Sequence, residues 1–482
     1  MTTSYYNHHI AYALNRYLTF LIAAFTASEL QAFSLAPRLV VNITIDQLRT
    51  DLMETFSPLY GQGGFNLLTN SGTLYESASY PFTPVDRASA VACISTGSTP
   101  SFNGISANYH LSKLTLRPEF CVDDKKHYAS PAQLLVSTIG DEMKIHTNKA
   151  AIVWSVAATR ESAILSAGHA ADGAIWLDEP SHNWRGSTYY HATTPTWFKG
   201  LGKSLNQGNN ADRGENESIA DAALAVINAT AMGRDEHTDL LSVTFSAASP
   251  AIPKDAKWQQ TMEQVYVRLD HTLAKFVGTI QQELGRDKVL FVITSTGYAE
   301  EQQVDLSAFK IPTGTFYINR TANLLNMYLS AIYGNGKYVE ASYRNEMYIN
   351  HKLVADKKIS MSELFAYCND FLLQSEGVSD VFTSERILSE NSTARKTRNG
   401  YHPSVSGDIQ IIVSPGWELV NEQTQEHIYS RASFVPFPII FYGSGIKPQR
   451  ISTPVTVDRI APTLAKAIHI RAPNACQAEP LF

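Results

Sequence analysis

The chain has 482 residues, 44% of them hydrophobic, and a formal charge of −6. That is enough for one large α/β domain with insertions or for two to three ordinary domains, and enough for an extensive core. The acidic balance, with no run of Lys or Arg, argues against a nucleic-acid-binding surface or a polybasic membrane anchor.

At the N-terminus, Arg16 precedes the apolar run from Tyr17 to Ala27, and a short polar stretch ends at Leu30-Gln31-Ala32. Charge, apolar run and small-residue exit are the parts of a secretory signal, expected over residues 1–32 with cleavage near Ala32; an ordinary amphipathic first helix is the alternative. The run is too short to span a bilayer, and no later stretch reads as transmembrane.

The run from Leu39 to Ile45 then reads as a buried parallel strand ending at Asp46, with a helix expected from Gln47 and a turn at Gly61–Gly64. Leu240–Ser246 and Val289–Thr294 read as further central strands. Between them, residues 257–284 carry Met262, Val265, Leu269, Leu273 and Phe276 at helical spacing. Strand, helix, strand at this spacing implies a parallel sheet with helices on both faces. Residues 305–405 interrupt the alternation with a Tyr-rich segment (Tyr317, Tyr328, Tyr333, Tyr338, Tyr343, Tyr348) and a helix near 362–374, and read as an insertion packed on the core. Pro438–Tyr442 is another buried strand, and a terminal helix starts near Asp458. Ligands in such folds collect beyond the carboxyl ends of the strands, so Asp46, residues 246–253 and residues 295–301 are the stretches to inspect.

Cys93, Cys121, Cys368 and Cys476 lie far apart with no CxxC spacing, which excludes a zinc-ribbon or thioredoxin-like motif. Export would permit disulfides, whose pairing the spacing does not give; Cys93, within an apolar helix, also reads as core.

Several stretches together resemble the alkaline phosphatase superfamily, in particular the PafA-like branch of the type I phosphodiesterase/nucleotide pyrophosphatase group. Val40 to Arg49 resembles its opening strand and metal-binding Asp. Ile94-Ser-Thr-Gly-Ser98 with Asn103-Gly-Ile105 resembles the helix after the nucleophile. Ala167 to Ala174, Ser406-Gly-Asp408, Asp458 to Leu464 and the C-terminal tail match further stretches, and residues 326–388 resemble the cap. The resemblance implies a three-layer α/β/α sandwich with a mostly parallel central sheet and a cap insertion at about 305–405, all within residues 33–482. It also implies the family chemistry, in which two zinc ions held by three Asp and three His activate a Thr or Ser nucleophile and clamp the phosphate.

Position by position, that site is largely replaced. Asp46 matches the first ligand. Ser249, Pro253, Ser295, Thr296 and Pro436 stand where the other five are expected, and Arg87 stands at the nucleophile. Thr159 and Glu161 occupy the basic phosphate-contacting positions, and of that set only Asn108 is retained. Proline has no side-chain donor and arginine is no oxygen nucleophile. The resemblance therefore implies an exported pseudoenzyme of the periplasm or cell envelope, a binding or scaffold protein with no zinc cofactor. Its partner would be an envelope protein or a phosphorylated ligand, and not nucleic acid. The alternatives are a hydrolase with a remodelled metal site (Asp46, Asp86, Glu300, Glu301 and His427 supply candidate groups) and a phospho-ligand site built on Arg87 and Asn108. His169 reads as structural support. A final expectation is that Arg87 pairs with Asp46, replacing the charge of the absent metal.

Overall fold

The computed structural model describes residues 36–178, 183–190, 197–198, 214–248, 257–298, 310–389, 394–429 and 436–482. The expected signal segment, Ser249, Pro253, Glu300 and Glu301 lie outside these residues.

Ten strands make one sheet. In chain order they are β1 (Leu39–Asp46), β2 (Thr73–Ser79), β3 (Val153–Ala157), β4 (Gly173–Asp178), β5 (Asn183–Gly186), β6 (Asp239–Ser246), β7 (Val289–Ser295), β8 (Phe437–Gly443), β9 (Gln449–Ile451) and β10 (Val455–Thr456). The spatial order is β9-β2-β8-β7-β1-β6-β3-β4-β5, with β10 also pairing β2. The run β7-β1-β6-β3-β4 is parallel throughout. β1 sits at its centre, and all eight of its residues are buried. Burial on both faces covers Leu39, Val40, Val41, Ile43 and Ile45 and also the polar Asn42, Thr44 and Asp46 that alternate with the isoleucines.

Side chains alternate across the sheet. Val41, Ile43, Ile45, Leu241, Val243, Phe291 and Ile293 pack against α5 (Glu215–Thr230) and α6 (Trp258–Leu284). Val40, Leu240, Leu290 and Val292 pack on the opposite face against α2 (Arg87–Thr96), α3 (Ile139–His146) and the terminal helix α9 (Ile460–Ala467). The result is the expected three-layer α/β/α sandwich. The expected β6–α6–β7 unit is present, but β6 and β7 flank β1 instead of pairing with each other. β8 runs antiparallel to β7 and β2, a direction that an apolar run does not encode.

The insertion contributes α7 (Ile318–Tyr333), α8 (Met361–Leu373) and two small sheets. One has strands Val339–Tyr343, Glu346–Ile349, Ile409–Val413 and Val378–Thr383 in that order; the other has Gly314–Tyr317, Trp417–Asn421 and Glu426–Tyr429. Its strands therefore continue past the expected boundary at 405, as far as Tyr429. Tyr338 lies in its own core, and Tyr343 and Tyr348 pack with Leu111 of the main body. Between strand β1 and helix α1 (Thr50–Thr55), Gln47 takes φ +60°, so the helix starts three residues later than its sequence suggests. The four cysteines are free thiols, and Cys93 is wholly buried.

Candidate functional site

Asp46 ends β1 at the carboxyl edge of the parallel sheet, where the fold gathers chemistry. Beside it starts α2, whose N-cap is Asp86. Asp86 Oδ1 accepts from the Ser89 amide and the Ser89 hydroxyl faces back to the Asp86 amide, a reciprocal capping box. The cap fixes the first residue of the helix, Arg87, with its side chain over the strand end. At the other end of the helix Gly97 takes φ +64°, and a Cβ there would meet Cys476 Sγ and the Asp458 carbonyl.

Arg87 donates from Nε (3.1 Å) and Nη2 (2.9 Å) to Asp46 Oδ2, and from Nη1 (3.1 Å) to Glu161 Oε1. The pairing with Asp46 has the expected partners, but both donors reach a single oxygen rather than forming a two-oxygen fork. The remaining capacity of Asp46 is filled by hydroxyls: Thr296 donates to Oδ1 at 2.7 Å and Tyr298 to Oδ2 at 3.2 Å. Thr296 in turn accepts from the Gln47 amide at 3.1 Å, which holds the strand end in register with the loop after β7. The side chains of Asp46 and Glu161 are each 5% exposed and that of Arg87 24%. Burial alone would lower the Arg87 pKa, but the carboxylates of Asp46 and Glu161, with the Tyr298 phenol, raise it above its ordinary value. Burial and the Asp46 charge push the Tyr298 phenol up, so it stays a donor.

Asn108 does not face Arg87 through any hydrogen bond. Its Oδ1 accepts from the Ala88 amide at 2.9 Å, and its own amide donates to Asp86 Oδ2 at 2.8 Å, so both groups serve the start of α2. Thr159, at the N-cap of α4 (Arg160–Ala167), donates to the Ser162 hydroxyl. The Ser295 carbonyl accepts from the Tyr80 hydroxyl, and the Pro436 carbonyl accepts from the Thr50 amide. Among the other candidate groups, Asp86 is committed to the cap and to Arg344 of the insertion (3.1 Å), and His427 Nδ1 lies 2.5 Å from Glu418 within the insertion. His169 is structural: its ring nitrogens lie 3.1 Å from Asp141 Oδ2 and 2.9 Å from the Leu134 carbonyl, and Asp141 caps α3 together with Thr138.

The structure thus joins Asp46, Arg87, Glu161, Thr296 and Tyr298. Tyr298 falls in the inspected stretch 295–301, but a phenol is not what a search for metal ligands retains. The donor set fits zinc poorly. A zinc site needs several deprotonated N, O or S donors in tetrahedral array. Asp46 is instead met by one guanidinium and two protonated hydroxyls. Among the described residues no group of three or more His, Cys, Asp or Glu converges.

Comparison with known proteins places this geometry in context. The sequence profile of the family described as type I phosphodiesterase / nucleotide pyrophosphatase matches residues 40–433. Alkaline phosphatase PhoV of Synechococcus elongatus is 26% identical over 506 aligned residues, covering 91% of each chain. Alkaline phosphatase PafA of Elizabethkingia meningoseptica is 25% identical, covering 92% of this chain and 94% of that protein. The crystal structure of wild-type alkaline phosphatase PafA superposes with a TM-score of 0.81 at 24% identity, covering 92% of this chain and 98% of that one. The fold is therefore alkaline-phosphatase-like, and the relatives connect the chain with phosphoester chemistry.

Proposed function

This chain belongs to the type I phosphodiesterase / nucleotide pyrophosphatase family, and from that premise we propose that it is an exported pseudoenzyme of the cell envelope, in which an internal ion cluster replaces the metal-and-nucleophile machinery. The observation that carries the reading is the seat of Arg87 on Asp46 and Glu161.

The family reaction needs a nucleophilic oxygen beside cations that spread the charge of the transferring phosphoryl group. At the nucleophile position this chain has a guanidinium, which has no lone pair to offer and keeps its proton. Around the retained Asp46 it has a cation where a cation would need to bind, so zinc would have to displace Arg87 from a carboxylate that is 5% exposed. Glu161 then places a negative charge where the resemblance expects a phosphate-binding base. Asp46 and Glu161 against Arg87 leave this cluster one unit negative, and an incoming phosphate would be repelled. The same count weighs against a phosphorylated ligand held by Arg87 and Asn108.

What the fold retains is a main body with the insertion packed on it, through Arg344 on Asp86 and Tyr343 and Tyr348 on Leu111, which would serve as a platform for binding. No helix among the described residues is long and apolar enough to cross a membrane. The test is a metal analysis of chelator-free protein, run beside assays with p-nitrophenyl phosphate and bis-p-nitrophenyl phosphate. The reading predicts no stoichiometric zinc and no turnover above the uncatalysed rate. Zinc-dependent turnover that Asp46→Ala abolishes would overturn it.

A further inference from the structure

A basic surface patch lies apart from the Arg87 cluster, where a hairpin of the main body meets the last part of the insertion. The strands Tyr109–Leu111 and Pro118–Phe120 pair as this hairpin. Its tip closes on itself: the Ser112 amide donates to the Arg117 carbonyl at 2.9 Å, and the Leu116 amide to the Ser112 carbonyl at 2.8 Å. Leu114 stands out of the tip at 96% exposure, with Leu116 beside it at 36%. Leu116 holds φ +52°, a backbone conformation that favours Gly or Asn, yet the position carries an apolar side chain.

Cations frame the two leucines. Lys113 and Arg117 belong to the tip itself, and Arg395, Lys396 and Arg398 come from the short helix Arg395–Gly400. Lys113 Nζ donates to the Pro403 carbonyl at 2.8 Å, which joins the hairpin to the segment just past that helix. Gly400, at the helix end, lines one cleft with Tyr109 and His110 of the hairpin, so the two elements are neighbours. Arg117, Arg395 and Lys396 are exposed, and Lys113 and Arg398 are partly so. None of the five makes an ion pair among the described residues, and the one acid of the hairpin, Glu119, faces His110 at 3.9 Å. From segments joined across 290 residues of chain, the fold gathers a positive patch on a protein of formal charge −6.

Charge alone would suit any polyanion. The leucines narrow the choice. A soluble phosphate or a polyglutamate chain offers Leu114 no apolar contact. A bilayer surface takes apolar side chains below its head groups and cations at the level of its phosphates.

We propose that this patch docks the protein on an anionic lipid surface, with Leu114 and Leu116 dipping into the interface and the five cations facing the lipid phosphates.

The test is co-sedimentation of the full chain with phosphatidylcholine vesicles, pure or with one lipid in three replaced by phosphatidylglycerol, beside its binding to polyglutamate in solution. The anionic vesicles are expected to bind the protein, the neutral ones not, and high salt to release it. Leu114→Ser is expected to weaken vesicle binding about tenfold. The double variant Arg395→Gln/Lys396→Gln is expected to weaken it about fivefold for each charge removed. All three side chains are exposed, and a melt checks that each variant folds as the parent does. Equal binding to the two kinds of vesicle would overturn the proposal. So would binding that survives both variants unchanged, as it would if the apolar run Tyr17–Ala27 carried it. Polyglutamate binding as tight as that to vesicles and indifferent to Leu114→Ser would assign the patch to an acidic polymer instead.

Discussion

Removing one partner of the Arg87–Asp46 pair should cost far more than the pair itself is worth. Arg87→Met deletes three hydrogen bonds and leaves Asp46 and Glu161, each 5% exposed, facing each other with no cation between them. Stranding buried charge in this way costs about 3–5 kcal/mol, and the quarter exposure of Arg87 places the value toward the lower end. Asp46→Leu is milder, because Arg87 keeps Glu161; the loss of the contacts from Thr296 and Tyr298 and of one charged pair sets it at about 2–3 kcal/mol. The double variant removes both charges, and its cost should fall short of the sum by at least about 1.5 kcal/mol. Urea unfolding of the four proteins, compared at constant slope, measures this cycle. Losses that add to within about 0.5 kcal/mol would refute the reasoning, since independent sites behave that way.

Further outcomes follow from other parts of the molecule. The hydrogen bond to Asp141 raises the His169 pKa against the opposing effect of burial; burial would raise the Asp141 pKa, but bonds from His169, Thr138 and Ala170 lower it. The raised histidine contributes below about pH 6.5 and loses that contribution as pH rises through its folded pKa; the depressed carboxylate contributes above about pH 4 and loses it as pH falls through its folded pKa. His169→Ala should therefore destabilise most between about pH 4 and 6.5, by about 1 kcal/mol given its partial exposure, and the gap should narrow by pH 9 in melts at matched ionic strength. Asp86→Ala removes the α2 cap and the Arg344 partner together, and should cost about 2–3 kcal/mol and speed amide exchange in the first turn of α2. If the N-terminal segment is a signal, sequencing of the exported protein should begin close to Phe33; an intact Met1–Ala32 segment in cytosolic protein would contradict export.

The layers of the fold were legible because they rest on periodicity. β1 is marked by Leu39, Val40, Val41, Ile43 and Ile45 within eight residues, while Met262, Leu269, Leu273 and Phe276 mark the inner face of α6. Direction and extent were not legible. β8 has the same apolar character whether parallel or antiparallel, and the insertion's strands run on beyond residue 405, through Ile409–Val413. At the site, the residue types at the expected ligand positions can be read directly from the sequence, since a proline or a serine is visible as such. What fills the gap was less accessible: Glu161 reaches Arg87 across 74 residues of chain and Tyr298 reaches Asp46 across 252. The Arg87–Asp46 pair was foreseeable because an unpaired carboxylate at a strand end is costly and only one cation arrives there. The contribution of Tyr298 was not, because a neutral phenol carries no charge signal in the sequence.

The central claim is that a guanidinium occupies the place of the metal. A crystal grown in excess zinc, with data collected at the zinc absorption edge, tests it most directly. The account predicts Arg87 seated between Asp46 and Glu161, with no anomalous peak within bonding distance of Asp46. A zinc peak on Asp46, with Arg87 swung out of the cluster, would contradict it.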